Sequence, residues 1–121
     1  MSAYLNLLIT KGITFNPVFT WTDSSGNPVD LTGYKARMQI RPEKDDPTIL
    51  VSLSTEDTPP EIVLGGTGGT IAVTLSAETT LALVGDGGVY DLEVYEGTVP
   101  NEVVVQVLRG NVPFETKVTQ A

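Results

Sequence analysis

Hydrophobic and polar residues alternate along the chain in short segments that are typical of β-strands separated by tight turns. Segments rich in Val, Ile, Thr and aromatic residues lie between turns of Gly, Pro, Asn and Asp, a pattern that predicts an all-β sandwich or barrel. The predicted strands cover residues 4–9, 13–22, 34–41, 49–53, 61–64, 70–75, 89–96 and 102–111, with a weaker strand at 112–118. One short helix is predicted at residues 76–84, where Ser76 can act as the N-cap and Glu78 lies in the first turn.

Two of the predicted strands have one apolar face and one polar face. In KARMQIR, at residues 35–41, the apolar positions alternate with Lys35, Arg37, Gln39 and Arg41. In VYDLEVYE, at residues 89–96, the polar face instead carries carboxylates. If the two strands are neighbours, these faces form cross-strand ion pairs, each contributing about 0.2–1 kcal/mol. The basic row of Lys35, Arg37 and Arg41 is a candidate surface for contact with another protein.

The strand predicted at residues 102–111, EVVVQVLRGN, is apolar on both faces. Strict alternation places Val103, Val105 and Val107 on one face, and Val104 and Leu108 on the other. Because a sandwich strand needs to bury only one face, the second is covered either by the chain's own terminal segments or by another subunit. Val104 and Leu108 are therefore candidate interface residues, on a strand that could pair with a neighbouring chain at a sheet edge.

The segment VGDGGVYDLEV places Asp86, Gly88, Tyr90 and Leu92 at alternate positions, a spacing that resembles the tyrosine corner of immunoglobulin-like domains. In that motif the tyrosine hydroxyl donates a hydrogen bond to the backbone a few residues upstream. The resemblance predicts structural roles for Asp86, Gly88 and Tyr90 in an immunoglobulin-like antiparallel β-sandwich of about seven to nine strands. The alternative is an ordinary glycine turn that leads into a strand. Membership of the antibody family is not implied, because the chain has no cysteine and Trp21 lies in the second predicted strand.

Composition removes most routes to catalysis. The chain has no His and no Cys, so it lacks the commonest general base, the thiolate nucleophile and the commonest metal ligands. With 15 acidic and 7 basic residues, its formal charge of −8 repels nucleic acid and anionic membranes. No apolar run approaches the roughly 20 residues that span a bilayer, and no basic region precedes the first apolar stretch. We therefore expect one domain, residues 1–121, that is not an enzyme, binds neither nucleic acid nor membrane, and needs no cofactor.

Three loops resemble ligand-binding motifs but have simpler interpretations. DSSGNPVD, at residues 23–30, spaces oxygen-bearing side chains as a calcium loop does, but it lacks the bidentate Glu, and Asx turns account for Asp23 and Asp30. GGTGGT, at residues 65–70, has neither the Lys nor the long helix of a phosphate loop and is predicted to be a hairpin connection. EKDD, at residues 43–46, is predicted to be a solvated run of charges. No metal site is predicted.

The turn at residues 23–33 also carries a family resemblance. Read in order, KGITF, DSSGNPVDLTGYKARMQIR and GVYDLEV are similar to small structural proteins of tailed bacteriophages and to the N-terminal domain of baseplate upper proteins. The matching positions are Gly12, Phe15, Asp23, Gly26, Pro28, Asp30, Leu31, Thr32, Gly33, Ala36, Met38, Ile40 and Arg41. The resemblance extends over most of the chain, residues 11–112, and belongs to a pattern of turns and strands rather than to an active site.

The resemblance implies a virion protein, made in the cytoplasm of the host bacterium and present in several copies in the tail, baseplate or neck. Such a protein would be an adaptor that binds other virion proteins or copies of itself, with Trp21 as a further candidate contact and Asp30 and Gly33 as structural residues of the turn. Two alternatives are open. One is a capsid decoration, or cement, protein. The other is a carbohydrate-binding module of a tail fibre, in which Trp21, Tyr4 and Tyr95 would be the exposed rings.

Overall fold

The computed structural model describes residues 3–98 and 100–119 and is an all-β sandwich of two sheets, as the sequence pattern predicts. The described residues form nine strands: β1 (Ala3–Tyr4), β2 (Ile9–Lys11), β3 (Val18–Thr20), β4 (Lys35–Arg41), β5 (Val51–Ser54), β6 (Ile62–Leu64), β7 (Thr70–Val73), β8 (Gly87–Glu96) and β9 (Val103–Thr116). A 3-10 turn at Gly66–Gly68 joins β6 to β7. One α-helix, α1 (Ala77–Leu81), lies between β7 and β8 and begins at the predicted N-cap, Ser76.

The larger sheet has six strands and the smaller has three. The order in the larger sheet is β1-β9-β8-β4-β5, with β2 also paired to β9, and the order in the smaller sheet is β3-β7-β6. Neighbouring strands are antiparallel except at the N-terminal segment, where β1 and β2 both run parallel to β9. The sandwich is therefore mostly antiparallel, and the parallel pairing of the first two strands is a departure from the prediction. Within residues 3–98 and 100–119, no helix is long and apolar enough to cross a membrane.

The core lies between the two sheets and is built from the apolar faces predicted for β4 and β8. The inward residues of these two strands are all buried: Ala36, Met38, Ile40, Tyr90, Leu92 and Val94. The smaller sheet contributes Ile62, Ile71 and Val73 to the same cluster. Full burial of one aliphatic side chain of this size contributes about 1.5–3 kcal/mol, so this cluster is the main source of stability.

The strand β9 contains a β-bulge that changes which of its residues reach the core. Leu92 on β8 is opposite Leu108, but the next residue, Glu93, is opposite Gln106, so Val107 is the extra residue of the bulge. Val107 is buried, and the partly buried Leu108 packs against the core. The prediction that Leu108 shares a face with Val104 is wrong, because it assumed strict alternation along the whole strand.

On the N-terminal side of the bulge, β9 alternates as predicted. Val104 is opposite Tyr95 on the outer face, and Val105 packs against the core. The prediction that this strand lies at a sheet edge applies only to the part of β9 up to and including the bulge, residues 103–107. β1 and β2 pair with β9 from Leu108 onward, whereas residues 103–107 have β8 as their one paired neighbour among the described residues. The weaker strand predicted at 112–118 is not separate, since β9 continues through it to Thr116.

The turn between β3 and β4 is built by Asx hydrogen bonds, as predicted. Asp23 Oδ1 accepts two backbone N–H groups within the turn, at 2.9 and 3.0 Å. Asp30 Oδ1 accepts the N–H of Thr32 at 2.9 Å, and the hydrogen bonds from Thr32 lower the pKa of Asp30. Leu31 is buried and anchors the turn in the core, while Gly33 has a φ of +84° that favours glycine.

The hydrogen bond predicted at the tyrosine corner is made elsewhere. The Tyr90 hydroxyl donates to the backbone carbonyl of Leu5 at 2.6 Å, in the segment between β1 and β2, and burial raises the pKa of Tyr90 to about 12. Asp86 is exposed and contributes a backbone hydrogen bond to β9. Gly88 allows close packing, since a Cβ there would lie 2.3 Å from the carbonyl oxygen of Arg41. These residues therefore support the structure through contacts that the corner motif does not describe.

Candidate functional site

The outer face of the larger sheet brings together most of the predicted contact residues. The strand register aligns four rows across β4, β8 and β9: Lys35–Tyr95–Val104, Arg37–Glu93–Gln106, Gln39–Asp91–Arg109 and Arg41–Val89–Asn111. We refer to these rows as the outer face. The row of cations predicted on β4 thus lies beside the row of carboxylates predicted on β8, with Val104 at one end.

Arg37 is the centre of a charged cluster at the Val104 end of the outer face. Its Nε donates to Glu93 Oε1, its Nη2 donates to Glu102 Oε1 at 3.1 Å, and its guanidinium lies 4.3 Å from the centroid of the Tyr95 ring. The hydrogen bond to Glu93 is the main cause of the raised pKa of Arg37. These three contacts fix the guanidinium and the Tyr95 ring relative to each other. The predicted ion pairing between β4 and β8 is confirmed at this pair.

Lys35 and Val104 flank this cluster. Lys35 forms an ion pair with Glu56 at 3.2 Å instead of with a carboxylate of β8. Glu56 lies just beyond the end of β5. Val104 is 42% exposed although it is apolar. The cluster therefore presents a fixed Arg and a fixed Tyr, two residue types that are enriched at the centres of protein interfaces, beside an exposed aliphatic side chain.

The opposite end of the outer face is hollowed into a groove of about 500 Å³. The middle of the groove is formed by polar side chains of three strands: Gln39, Asp91 and Gln106. Arg41 and Lys44 line it on the β4 side, and Tyr4 and Arg109 line it on the side of β1 and β9. The groove therefore has cations on both sides of a carboxylate, that of Asp91.

Of the residues that the structure describes, Asp91 is the one acid that lines the groove. Burial is the main cause of its raised pKa, and the charge of Glu93 adds to the effect. Gln106 Nε2 donates to Asp91 Oδ2 at 3.3 Å, and the positive charges of Arg41 and Arg37 act in the opposite direction. The partly buried carboxylate is thus poorly solvated and only partly compensated by its neighbours.

The cations of the groove are held by neutral groups. Arg41 donates from Nε and Nη2 to Gln39 Oε1, at 3.2 and 2.9 Å, and from Nη1 to the backbone oxygen of Asp46 at 2.9 Å. The guanidinium of Arg109 lies 4.3 Å from the centroid of the Tyr4 ring. In the described part of the chain, no carboxylate lies within 4.0 Å of the charged nitrogens of Arg41, Lys44 or Arg109.

Other predicted contact residues lie away from the outer face. Trp21 is partly buried against the core, and its backbone N–H donates to Gly69 on the side of the smaller sheet. Leu108 packs inward after the bulge. Tyr4 and Tyr95 are on the outer face, but an arginine covers one side of each ring.

Sequence reasoning missed the groove as a site. Arg109 and Asn111 reach the outer face only because the bulge shifts the alternation of β9 by one residue, and Tyr4 reaches it through the parallel pairing of β1. A local signal in the sequence could have indicated the shift. The polar residues Arg109 and Asn111 occupy the positions that strict alternation from Val103, Val105 and Val107 would place in the core. Among the described residues, no three Asp or Glu side chains are grouped so that they could hold a metal ion.

Comparison with known proteins identifies a shared fold. The structure is similar to the N-terminal domain of phage TP901-1 ORF48, with a TM-score of 0.60 and 10% sequence identity, over 93% of this chain and 94% of that chain. A VGSC beta subunit, from a photo-crosslinking analysis of multimeric cell-adhesive interactions, covers 96% of this chain and 93% of its own, with 12% identity. Its TM-score of 0.43 is too low to interpret. No family model matches the chain, and no curated protein matches its sequence.

Proposed function

We propose that the protein is a non-enzymatic structural component of a bacteriophage virion that binds other virion proteins through the outer face of its larger sheet. The observation that carries the proposal is the shared fold with the N-terminal domain of phage TP901-1 ORF48, which spans nearly the whole of both chains. The turn at residues 23–33, which resembles that of baseplate upper proteins, supports the same class of protein. The proposed location is the tail, baseplate or neck, in several copies per particle.

We assign the sandwich to the immunoglobulin-like type on the basis of its strand order. The smaller sheet, β3-β7-β6, corresponds to strands B, E and D, and the run β9-β8-β4-β5 corresponds to strands G, F, C and C′ of that fold. The sandwich departs from the type in the position of the Tyr90 hydrogen bond, in its lack of cysteine and in the position of Trp21.

The chemistry of the outer face favours binding over catalysis. The chain has no His or Cys that could activate a nucleophile, and the carboxylates nearest Arg37 are engaged in ion pairs with it. Arg and Tyr are enriched among the residues that dominate interface energetics, and Arg37 and Tyr95 are already fixed in position. Contact with a partner would therefore cost little additional side-chain entropy.

A carbohydrate-binding role has less support. Of the three rings that could stack on a sugar, Trp21 packs against the core, and Tyr4 and Tyr95 each have one side covered by a guanidinium. A role as a capsid decoration protein differs from the proposal in its location within the virion, and the particle experiment described next distinguishes the two.

The proposal is tested by incorporation of variants into particles. In Val104→Asp, a charge replaces an exposed valine of the outer face; the matched control, Val63→Asp, makes the same change on the smaller sheet, where Val63 is 55% exposed. Both variants should stay folded by circular dichroism. We expect Val104→Asp to be absent from purified particles and Val63→Asp to be incorporated, with the protein located by cryo-electron microscopy at the tail, baseplate or neck.

Two results would contradict the proposal in different ways. Incorporation of Val104→Asp at the wild-type level would show that the outer face is not the contact surface. Absence of the wild-type protein from purified particles would contradict the virion role itself. A location on the capsid surface would instead support the role of a capsid decoration protein.

A further inference from the structure

The groove concentrates positive charge on an acidic protein. The chain has 15 acidic and 7 basic residues, yet the groove is lined by Arg41, Lys44 and Arg109 against the single acid Asp91. Within the described residues, Lys35 and Arg37 are ion-paired, whereas none of the three groove cations has a carboxylate within 4.0 Å. Three neighbouring cations outnumber the carboxylate of Asp91 beside them, which raises the electrostatic free energy of the surface, and an acidic ligand would lower it.

Two of these cations are held ready for a ligand. Arg41 is oriented by Gln39 and by the backbone of Asp46, and Arg109 is stacked on Tyr4. All of these partners are neutral groups, so they fix the guanidinium without compensating its charge. A planar guanidinium can donate two parallel hydrogen bonds to one carboxylate. A guanidinium that is already held in position loses less conformational entropy when it binds a ligand.

The positions of the two arginines indicate a ligand with more than one carboxylate. Arg41 is on β4 and Arg109 is on β9, with β8 between them. Adjacent strands are about 4.8 Å apart, and Arg41 lies two residues further along the register than Arg109, so their backbones are about 12 Å apart. Arg109 is turned toward Tyr4, on the far side of β9, while Arg41 is held at the backbone of Asp46. The two guanidinium groups are therefore fixed apart, and one carboxylate does not pair with both. Residues i and i+2 of an extended segment project from the same face about 6.6 Å apart, and their acidic side chains can reach one arginine each.

We propose that the groove binds an extended acidic segment of a partner protein, with one carboxylate on Arg41 and a second on Arg109. The identity of the partner as a virion protein rests on the proposed function, whereas recognition of the acidic segment rests on the groove alone. Asp91 opposes this binding, because its charge lies on β8, the strand between those of the two arginines, directly opposite Arg109. Removal of the Asp91 charge should therefore strengthen binding of the acidic segment, whereas removal of a groove cation should weaken it.

The experiment measures peptide binding to the isolated chain by isothermal titration calorimetry. The probe is a short peptide of alternating Thr and Glu, and its control has Gln in place of Glu. We expect the Glu peptide to bind, and the Gln peptide to bind at least about tenfold more weakly, since a hydrogen bond to a charged group is worth about 1.5 kcal/mol or more. Backbone NMR shifts should change at Val89 and Gly110, which line the groove.

Variants of the protein test the assignment of the groove. Arg41→Gln, Arg109→Gln and Lys44→Gln should each weaken binding of the Glu peptide, and Asp91→Asn should strengthen it. Lys44 lies in an exposed loop, so its substitution leaves the folded structure intact. Lys11→Gln is the matched control, since it removes one positive charge outside the groove. Equal weakening by Lys11→Gln, or unchanged binding in the groove variants, overturns the inference.

Two further outcomes separate this inference from the proposed function and from another ligand class. If the groove variants lose peptide binding but the protein is absent from particles, the result supports the acidic-segment site and contradicts the virion role. If the protein is incorporated into particles but the groove variants bind the peptide normally, the groove inference alone fails. Binding of glucuronic acid as tight as that of the peptide would assign the groove to an acidic sugar and overturn the proposal.

Discussion

The hydroxyl of Tyr90 donates a 2.6 Å hydrogen bond to the backbone carbonyl of Leu5, and this bond joins the middle of the larger sheet to the N-terminal segment. Gly110 on β9 is opposite Tyr90, and a Cβ at Gly110 would lie 2.3 Å from the same carbonyl oxygen. The segment therefore lies against β9 at Gly110, within reach of the Tyr90 hydroxyl. Since Tyr4 immediately precedes Leu5, the contact also positions one side of the groove.

Tyr90→Phe should lower the free energy of unfolding by about 1 kcal/mol, because the Leu5 carbonyl loses its side-chain donor. Hydrogen exchange at the amides of Leu5 and Leu7, which pair with β9, should accelerate. Denaturant titration measures the first effect and NMR the second. Tyr34→Phe is the matched control, since no hydrogen bond of the Tyr34 hydroxyl is present among the described residues. Equal destabilisation of the two variants would contradict the assigned role of the hydroxyl.

Gly110→Ala should be more damaging, because the new methyl group overlaps the Leu5 carbonyl and displaces the N-terminal segment from β9. Overpacking of this kind typically costs 1–3 kcal/mol, and we expect a loss of about that size in thermal or chemical unfolding. Gly68→Ala provides the comparison, since a Cβ at Gly68 meets open space. If both variants are as stable as the wild type, β9 and the segment are not in close contact.

Asp91→Asn should stabilise the protein at neutral pH. Burial, with the charge of Glu93, raises the folded-state pKa of Asp91, so the folded protein binds more protons than the unfolded chain just above the unfolded value of about 3.9. Stability is therefore lost as the pH rises through the folded-state pKa. The stabilising effect of Asp91→Asn should be present at pH 7 and should fade as the pH falls through and below the unfolded value of about 3.9, because Asp91 then becomes protonated in both states.

Thermal unfolding from pH 3 to pH 7 measures this dependence. Asp86→Asn removes the same charge from an exposed turn and corrects for the change in net charge. A stabilisation of Asp91→Asn that is the same at every pH, or that is matched by Asp86→Asn, would argue against a cost of burying the Asp91 carboxylate.

Arg37→Lys should destabilise the protein although it conserves the charge. A lysine ammonium cannot reproduce the separate bonds of Nε to Glu93 and of Nη2 to Glu102 while stacking on Tyr95. Because the cluster is partly exposed, the expected loss is modest, about 0.5–1 kcal/mol in denaturant titration. Lys35→Arg tests the reverse exchange at a simpler pair and should be neutral. A neutral Arg37→Lys would mean that charge alone maintains the cluster.

The features that could be predicted from sequence are local ones. The alternation of KARMQIR fixed the buried and exposed faces of β4, and the Ser76 cap located the start of α1. Asp23 and Asp30 form their hydrogen bonds within a few residues of themselves. In each case the determining contacts lie within one strand, cap or turn, so a short window of sequence contains all the information.

The features that could not be predicted depend on distant contacts. The Tyr90 hydroxyl bonds a carbonyl 85 residues away, where the motif suggested a neighbour in the same corner. The bulge at Val107 follows from pairing with β8, and it reverses the expected direction of Leu108 and Arg109. The groove depends on distant pairing of the same kind, because the shifted register of β9 brings Arg109 to the outer face and the parallel pairing of β1 places Tyr4 beside it. Strand register is a tertiary property, and a single-strand pattern does not specify it.

The parallel pairing of β1 and β2 with β9 has a consequence for the synthesis of the protein. Ala3 is opposite Leu108, so the segment that carries β1 and β2 leaves the ribosome well before β9 and has no strand to join until about a hundred further residues have been made. At translation rates of about 5–20 residues per second, this takes about 5–20 seconds. During that time Leu7 and Ile9, which are buried in the finished sandwich, are accessible to chaperones and to other nascent chains.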